Sequence, residues 1–411
     1  MTTPSNRPYT EPELRAYLDR IDFPLGNDPA VLVDEISRDP KAALGQVMRA
    51  HLERVPFENT FITVAEPRAS PPLDPSSLHD RIVRSQLGGY CFFHSLNSTN
   101  VILGLIQLQR NEDRDLDHSQ EGNLNRQRGH RQGWQITNAR PVLGVVSIGK
   151  EPETDRPIFE SRREPTHCVT LVTVLDSRTG VEERAVMDVG FGRKGPIGLA
   201  PLPSSEKAGA AGEVIWDDSL RGEAWRVRRP KVGELPGPEE GLEERWLQGH
   251  PLTDGEGKRN YLMQHRLFAL GQDPSESDQD IEHDDDDGYG AWETLYAFNV
   301  AEHHGLETFQ TLSRHVFDGS KGCTTKFKDH LTVSRTYDLE QGIDFPVKNN
   351  TGKQSSFEGR TRTMGRLALT DMVLSTFVTT DQGKGKKEVI SEYKDERERN
   401  EDLERLFGLK L

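Results

Sequence analysis

An α+β chain is predicted, with a helical first hundred residues followed by an antiparallel, barrel-like set of strands; three observations carry this. Helix-start signals recur as far as residue 75, each followed by apolar residues at helical spacing. From Trp134 onward the apolar runs are short, β-branched and divided by turn residues. The segment from Lys384 to Leu411 alternates in charge and closes as a helix.

Thr10-Glu11-Pro12-Glu13 is a capping box, with Leu14, Tyr17, Leu18 and Ile21 at helical spacing behind it. Asp39-Pro40 starts a second helix, whose apolar face is Leu44, Val47, Met48, Leu52 and Val55 and which stops before Pro56. Asp74-Pro75 repeats that signal and leads, through Leu78 and Ile82, to the helix-stopping pair Gly88-Gly89. Leu96, Val101, Ile102, Leu105, Ile106 and Leu108 then keep one face of a new helix apolar, so the helical part spans 1–108. The strand-rich part spans 109–300 and carries polar insertions at 110–131, 204–244 and 270–290, the first with no periodicity at all. Its strands are Gln135–Thr137, Val142–Val146, a hairpin from His167 to Asp188, an edge strand at Ala224–Arg228, and Trp292–Val300. Residues 301–411 form a third part, opening with a short helix through Leu306, Phe309 and Leu312. No internal repeat is present.

At 411 residues, with 29% charged and 33% hydrophobic residues, the chain is long enough for two or three subdomains around a substantial soluble core. A net charge of -15 excludes nucleic acid and anionic membrane as main partners, since both need a basic footprint. No apolar run reaches signal-peptide or membrane-helix length, and three cysteines suit a reducing compartment, so a cytoplasmic monomer is expected. No metal site is expected: the paired Cys/His spacing of zinc is missing, and the acidic run Asp273–Asp287 lacks the calcium-loop glycine and terminal glutamate.

The chemistry centres on Cys91. It follows Gly88-Gly89-Tyr90 and falls at the start of a helix, where unpaired N–H groups and the helix dipole favour thiolate over thiol. Packing in the core is the plain alternative for any single cysteine. Downstream, Thr166–Leu175 reads as a strand, Asp176–Gly180 as a turn and Glu183–Val189 as the return strand. With the turn near Ser177 and Arg178, and a bulge allowed, His167 is expected opposite Asp188, side chains on one face. Cys91, His167 and Asp188 then make a nucleophile, an oriented base and the carboxylate that fixes its tautomer. Gly190-Phe191-Gly192-Arg193-Lys194-Gly195 matches GxGxxG formally. Pro196, Gly198, Pro201 and Pro203 forbid the helix that a dinucleotide fingerprint must open, so it reads instead as a glycine loop that lets backbone come close beside these three residues. Arg193 or Lys194 would meet an anionic group of a ligand, or simply be solvated bases of a tight turn.

Gly-Gly-Tyr-Cys, then His167, then Met187-Asp188-Val189-Gly190-Phe191-Gly192 resembles the arylamine N-acetyltransferase family, and the length and polar insertions look most like its fungal members. Val55-Pro56-Phe57-Glu58-Asn59 is similar to its "PFEN" segment, and Leu295-Tyr296-Ala297-Phe298-Asn299 to its "YxF" strand. Cys323–Phe327 with Leu331–Ser334 resembles the segment that leads into its third domain. The resemblance implies a helical bundle carrying the cysteine, a β-barrel carrying His and Asp, and a C-terminal α/β lid on a cysteine-protease-like core. It also implies a ping-pong reaction: Cys91 takes an acyl group from acetyl-CoA or another acyl-CoA, and an arylamine or hydrazine accepts it, as in xenobiotic metabolism. No permanently bound cofactor is implied. Phe57 and Phe191 match positions that line the acceptor pocket, and Gly190, Gly192, Lys194 and Thr325 are the remaining candidates for binding substrate or coenzyme A.

Two positions depart from the family pattern, which reads Arg-Gly-Gly-Tyr-Cys-x-Glu. Leu87 stands at the Arg and Phe93 at the Glu. Glu58 would then need a new counter-charge, for which His94 and Arg84 are the candidates; alternatively Leu87 and Phe93 pack on each other as an apolar substitute. Competing readings are an amide-forming acyltransferase acting on a biosynthetic intermediate, a thiol hydrolase or transglutaminase-like enzyme, and a catalytically impaired relative used for binding.

Overall fold

The computed structural model describes residues 7–64, 70–119, 133–160, 164–216, 223–235, 260–267, 292–300, 304–318, 329–338, 364–379 and 385–409. Helix α1 (Glu11–Arg20) has the Thr10/Glu13 capping box and α3 (Pro40–Arg54) starts on Asp39, whose side chain accepts from Ala42 N. Between them lies α2 (Pro29–Arg38), absent from the helices anticipated above; it uses the same start, Asp28 capping Ala30 N ahead of Pro29. Strand β1 (Phe57–Glu58), α4 (Thr60–Thr63) and α5 (Pro75–His79), continued as one π turn at Asp80–Arg84, lead to α6 (Cys91–Ser119). Helix α6 thus runs on beyond residue 110, into the stretch expected to be an unstructured insertion.

Strand β2 (Trp134–Lys150) is one continuous strand with a register shift between Ile136 and Asn138, where two strands were anticipated. With β3 (Pro157–Phe159), β4 (His167–Asp176), β5 (Glu182–Met187), β6 (Ala200–Pro201), β7 (Ile215–Trp216), β8 (Glu223–Arg228), β9 (Asn260–Leu267) and β10 (Glu293–Asn299) it forms an antiparallel nine-stranded sheet. The order is β6-β5-β4-β2-β10-β9-β8-β7, with β3 on β2. β8 is therefore an inner strand flanked by β7 and β9, not an edge, and part of the 204–244 insertion belongs to the sheet. Backbone bonds from Gly212 N to Val227 O (2.7 Å) and Arg229 N to Ala210 O (2.8 Å) tie the chain after β6 onto β8, so the sheet curls into a nearly closed barrel.

Helix α7 (Leu306–Asp318) follows. A five-stranded antiparallel sheet then takes the order β1-β11-β12-β13-β14, with β11 Thr332–Asp338, β12 Met364–Thr370, β13 Val373–Thr379 and β14 Gly385–Glu392. Its core joins Val333, Leu367, Leu369 and Leu374 to Leu403, Leu406 and Phe407 of α8 (Glu396–Phe407). The main core instead mixes α1–α3 and α6 with the barrel strands, so bundle and barrel share one apolar interior. A third cluster lies under the cysteine: Phe61, Tyr90, Phe92, Phe93 and Leu96 with Leu306, Phe309 and Leu312, which makes α7 a full three-turn helix packed on the Gly88–Cys91 turn rather than a short appendage.

Candidate active site

Cys91 is the first residue of α6 and is 7% exposed. The turn before it is fixed by close approach. A Cβ on Gly88 would lie 1.8 Å from Pro56 O, so only glycine lets the two segments meet. Gly89 bridges Phe57 in parallel, and its carbonyl accepts from Glu58 N at 2.8 Å. The "PFEN" residues thereby knit three segments together. Glu58 takes Thr60 N at 2.7 Å and Thr60 Oγ at 2.5 Å, while the Asn59 amide pairs with the last sheet, donating to His330 O at 2.8 Å and accepting from Thr332 N at 2.6 Å.

The counter-charge for the fully buried Glu58 is Arg81, not His94 or Arg84. Arg81 also donates from Nε to Gly88 O at 2.6 Å, and its guanidinium lies 4.5 Å over the Phe61 ring and 5.4 Å over the Phe93 ring. Phe93, at the family's glutamate position, therefore offers a π face to the cation that replaces the family's arginine. Leu87 packs against the core of the last sheet, while Phe93 belongs to the cluster under the cysteine. Arg84 pairs with Asp80 instead. Arg81 was invisible to motif reading because its link to Glu58 spans 23 positions and depends on the π turn that carries it.

His167 begins β4 and Asp188 follows β5, both buried. Their ladder pairs Thr170 with Met187 and Leu171 with Val186, two residues away from the register expected above. A shift of two keeps every side chain on its face, which is why the pair still meets, diagonally rather than head-on. His167 Nε2 lies 3.0 Å from Asp188 Oδ2, and Asp188 Oδ1 accepts from Gly190 N at 3.0 Å. Burial alone would push the His167 imidazolium down; the charge and hydrogen bond of Asp188, joined by Cys91, outweigh it and push it up to about 10. The Tyr296 and Phe191 rings pack on His167 at 4.6 and 5.1 Å, closing it from water.

Gly190 sits directly on the Cys91 backbone: a Cβ there would be 2.8 Å from Cys91 Cα. Gly192 has φ of 71°, a value that glycine adopts freely. The loop is held from outside by Trp225 Nε1 on Lys194 O (3.0 Å) and Arg366 Nη2 on Gly195 O (2.9 Å). Cys91, His167, Gly190, Phe191 and Phe57 all line one cavity of about 190 Å³, together with Tyr90, Val146, Glu160, Thr166 and Val316. Glu160 and Val316 carry no motif and could not be found from sequence. Gly192 borders a neighbouring crevice, and the Lys194 ammonium is exposed and paired with Glu293 at 2.7 Å, outside the cavity. Thr325 lies outside the described residues, as does the Arg193 side chain. Among the described residues no cluster of His, Cys, Asp and Glu could hold a metal ion.

The model of a family described as N-acetyltransferase matches residues 42–98, from the start of α3 to the first turns of α6. No curated protein matches the chain. Among solved structures, the arylamine N-acetyltransferase of M. tuberculosis shares 18% identity at TM-score 0.51, over 96% of this chain and 92% of that one. The M. smegmatis arylamine N-acetyltransferase gives 17% and 0.52 over the same shares, and the Mycobacterium marinum enzyme, solved in complex with CoA, gives 18% and 0.50. The chain is therefore similar to the arylamine N-acetyltransferases in two respects, a Cys91-bearing segment that matches the N-acetyltransferase model and a shared fold.

Proposed function

We propose that this chain is an acyl-CoA-dependent N-acyltransferase that moves an acetyl or related short acyl group to an arylamine or hydrazine through an acyl-Cys91 intermediate. The observation that carries it is that Cys91 and His167 share the wall of a mostly apolar cavity while the buried Asp188 holds Nε2 of His167. His167 takes the thiol proton, and the Cys91 sulfur attacks the thioester carbonyl. As the tetrahedral adduct collapses, the carbon–sulfur bond to coenzyme A breaks and the leaving thiolate takes the proton back from His167. In the second half the amine nitrogen attacks the Cys91 thioester, its proton passes to His167 and then to the Cys91 sulfur, and the amide leaves. Asp188 stabilises the imidazolium in both halves, in keeping with the raised value of His167.

Coenzyme A would act as co-substrate, as the M. marinum complex suggests by analogy. Phe57, Phe191 and Gly190 would border the acyl group and acceptor, with Gly192, Thr325 and Lys194 toward the coenzyme. The Lys194–Glu293 pair is exposed, and such pairs contribute only about 0–1 kcal/mol, so a phosphate can take the ammonium over at little cost. No helix among the described residues is long and apolar enough to cross a membrane, and we place the reaction in the cytoplasm, in a monomer. A three-part division near residues 108 and 300, with the last part a lid, belongs to the same reading. The impaired-relative reading rested on the charges missing at Leu87 and Phe93; Arg81 supplies the first of them.

Intact mass after brief exposure to acetyl-, propionyl- and malonyl-CoA tests the proposal. One acyl adduct on the wild type, lost in Cys91→Ser, is expected. No adduct from any donor, with the thiol titrating as free, would overturn it in favour of a carrier-linked donor.

A further inference from the structure

Two histidines that the mechanism does not use lie fully buried behind Cys91. His94, one turn into α6, places Nε2 2.8 Å from Gly89 O; His51, on α3, places Nε2 2.8 Å from His94 Nδ1; and the Tyr17 hydroxyl on α1 lies 2.9 Å from His51 Nδ1. All three side chains are 0% exposed.

The end of this chain fixes its direction. A carbonyl only accepts, so His94 Nε2 carries a proton and donates to Gly89. A neutral His94 then has a bare Nδ1, which must accept from His51 Nε2–H; His51 Nδ1 is bare in turn and accepts from the Tyr17 hydroxyl. Both rings are kept neutral. Burial pushes His94 down to about 4, and burial with the neighbouring His94 holds His51 well below the usual imidazole range. One tautomer per ring satisfies every polar atom from α1 to the turn that carries the nucleophile.

The receiving end is chosen by that turn. Gly89 O already accepts from Glu58 N at 2.8 Å, so the second bond from His94 saturates the carbonyl and fixes the peptide plane two residues before Cys91. The His94 ring lies parallel to Phe57, a wall of the acyl cavity, at 6.2 Å and 7°. A Cβ on Gly190 would come within 3.3 Å of His94 Cβ, so the same side chain also sits beneath the glycine loop that follows Asp188.

We infer that His94 and His51, oriented by Tyr17, are positioning residues that hold the Gly89–Cys91 turn at the angle His167 requires. The role rests on Cys91 being the nucleophile, and misplacing a reacting group by about 1 Å costs on the order of 10²-fold in rate.

The test is the alkylation rate of Cys91 by iodoacetamide across pH, which reads nucleophile reactivity without any acyl-CoA, beside kcat and KM for acetyl transfer. His94→Leu removes the donor to Gly89, His94→Gln puts an amide N–H near the place of Nε2, and His94→Asn puts one near Nδ1, out of reach of the carbonyl. Expected are losses of about 10- to 100-fold in alkylation rate and kcat for Leu and Asn with KM held within twofold, and recovery to within about threefold of wild type for Gln. A folded Leu variant that alkylates at the wild-type rate, or Gln and Leu falling together, overturns the inference. Should the Leu variant not fold, Tyr17→Phe decides: it removes one oxygen at the far end of the chain, and a two- to fivefold slower alkylation supports the inference while an unchanged rate overturns it. Alkylation that behaves as expected in a protein that takes up no acyl group would sink the acyltransferase reading and leave this one standing.

Discussion

Two sets of buried imidazoles flank Cys91 and are driven in opposite directions. His167 faces the carboxylate of Asp188 and rises to about 10; His94 faces a carbonyl and another neutral ring and falls to about 4. Burial is equal, and by itself penalises the charged form in both. The charge of Asp188 at 3.0 Å, joined by Cys91, reverses the outcome for His167. Cys91 thus has two neutral imidazoles behind it and one that charges readily in front.

The largest change should come from erasing the difference. Asp188→Asn removes the larger of the two groups that raise His167 and leaves burial opposed by Cys91 alone, so its value should fall, and acyl-Cys91 formation should fall by about 10³- to 10⁴-fold, or roughly 4–5 kcal/mol of barrier. Stopped-flow release of coenzyme A would measure it; a loss under tenfold would mean that the carboxylate does not set the proton affinity of His167. On the other side of Cys91 the support is one buried charge pair, and Arg81→Met strands Glu58 without its cation. About 3 kcal/mol of folding stability should be lost, read as a lower urea midpoint at unchanged slope.

Stability against pH separates the two sides by sign. An unfolded imidazole titrates near 6.5, so the neutral His94 contributes stability that is present above pH 6.5 and is lost as pH falls toward 4. Between pH 6.5 and 5, above most carboxylate titrations, this amounts to about 2 kcal/mol, with His51 acting in the same sense. The His167–Asp188 pair contributes the reverse: its stabilisation is present below pH 6.5 and is lost as pH rises through about 10. Urea midpoints of wild type, His94→Gln and Asp188→Asn at pH 5, 7 and 9 would show the acid limb shrink in the first variant, His51 keeping the remainder, and the alkaline limb vanish in the second; parallel curves would break the contrast. Smallest of all, Lys194→Ala should raise the apparent KM for acyl-CoA two- to fivefold with kcat unchanged, since the charge lies outside the cavity; an unchanged KM removes it from the phosphate role.

Local chemistry was readable in advance and distant pairing was not. The glycine pair ahead of Cys91 and the β-branched run after His167 declare a helix start and a strand in their own residues. The hairpin register came out two residues off because a five-residue stretch of turn formers leaves the ladder free to slide, yet the period of two kept His167 and Asp188 on one face. Helix α2 repeats, at Asp28-Pro29, the Asp-Pro start of α3 and was legible on the same grounds. Arg81 illustrates the other limit: the sequence shows a charge missing at Leu87, but only the π turn and the Glu58 carboxylate together reveal where its replacement comes from.

Strand β1 has a consequence for the order in which the site is built. Phe57 and Glu58 pair with Ser334 and Val333, and the Asn59 amide binds Thr332, 273 positions further along the chain. During synthesis Cys91 emerges early, yet the backbone that braces it from the far side leaves the ribosome only after the whole barrel has been made. Such long-range closure is entropically late, so the cysteine should acquire its full reactivity in the last folding step, together with the docking of the final sheet.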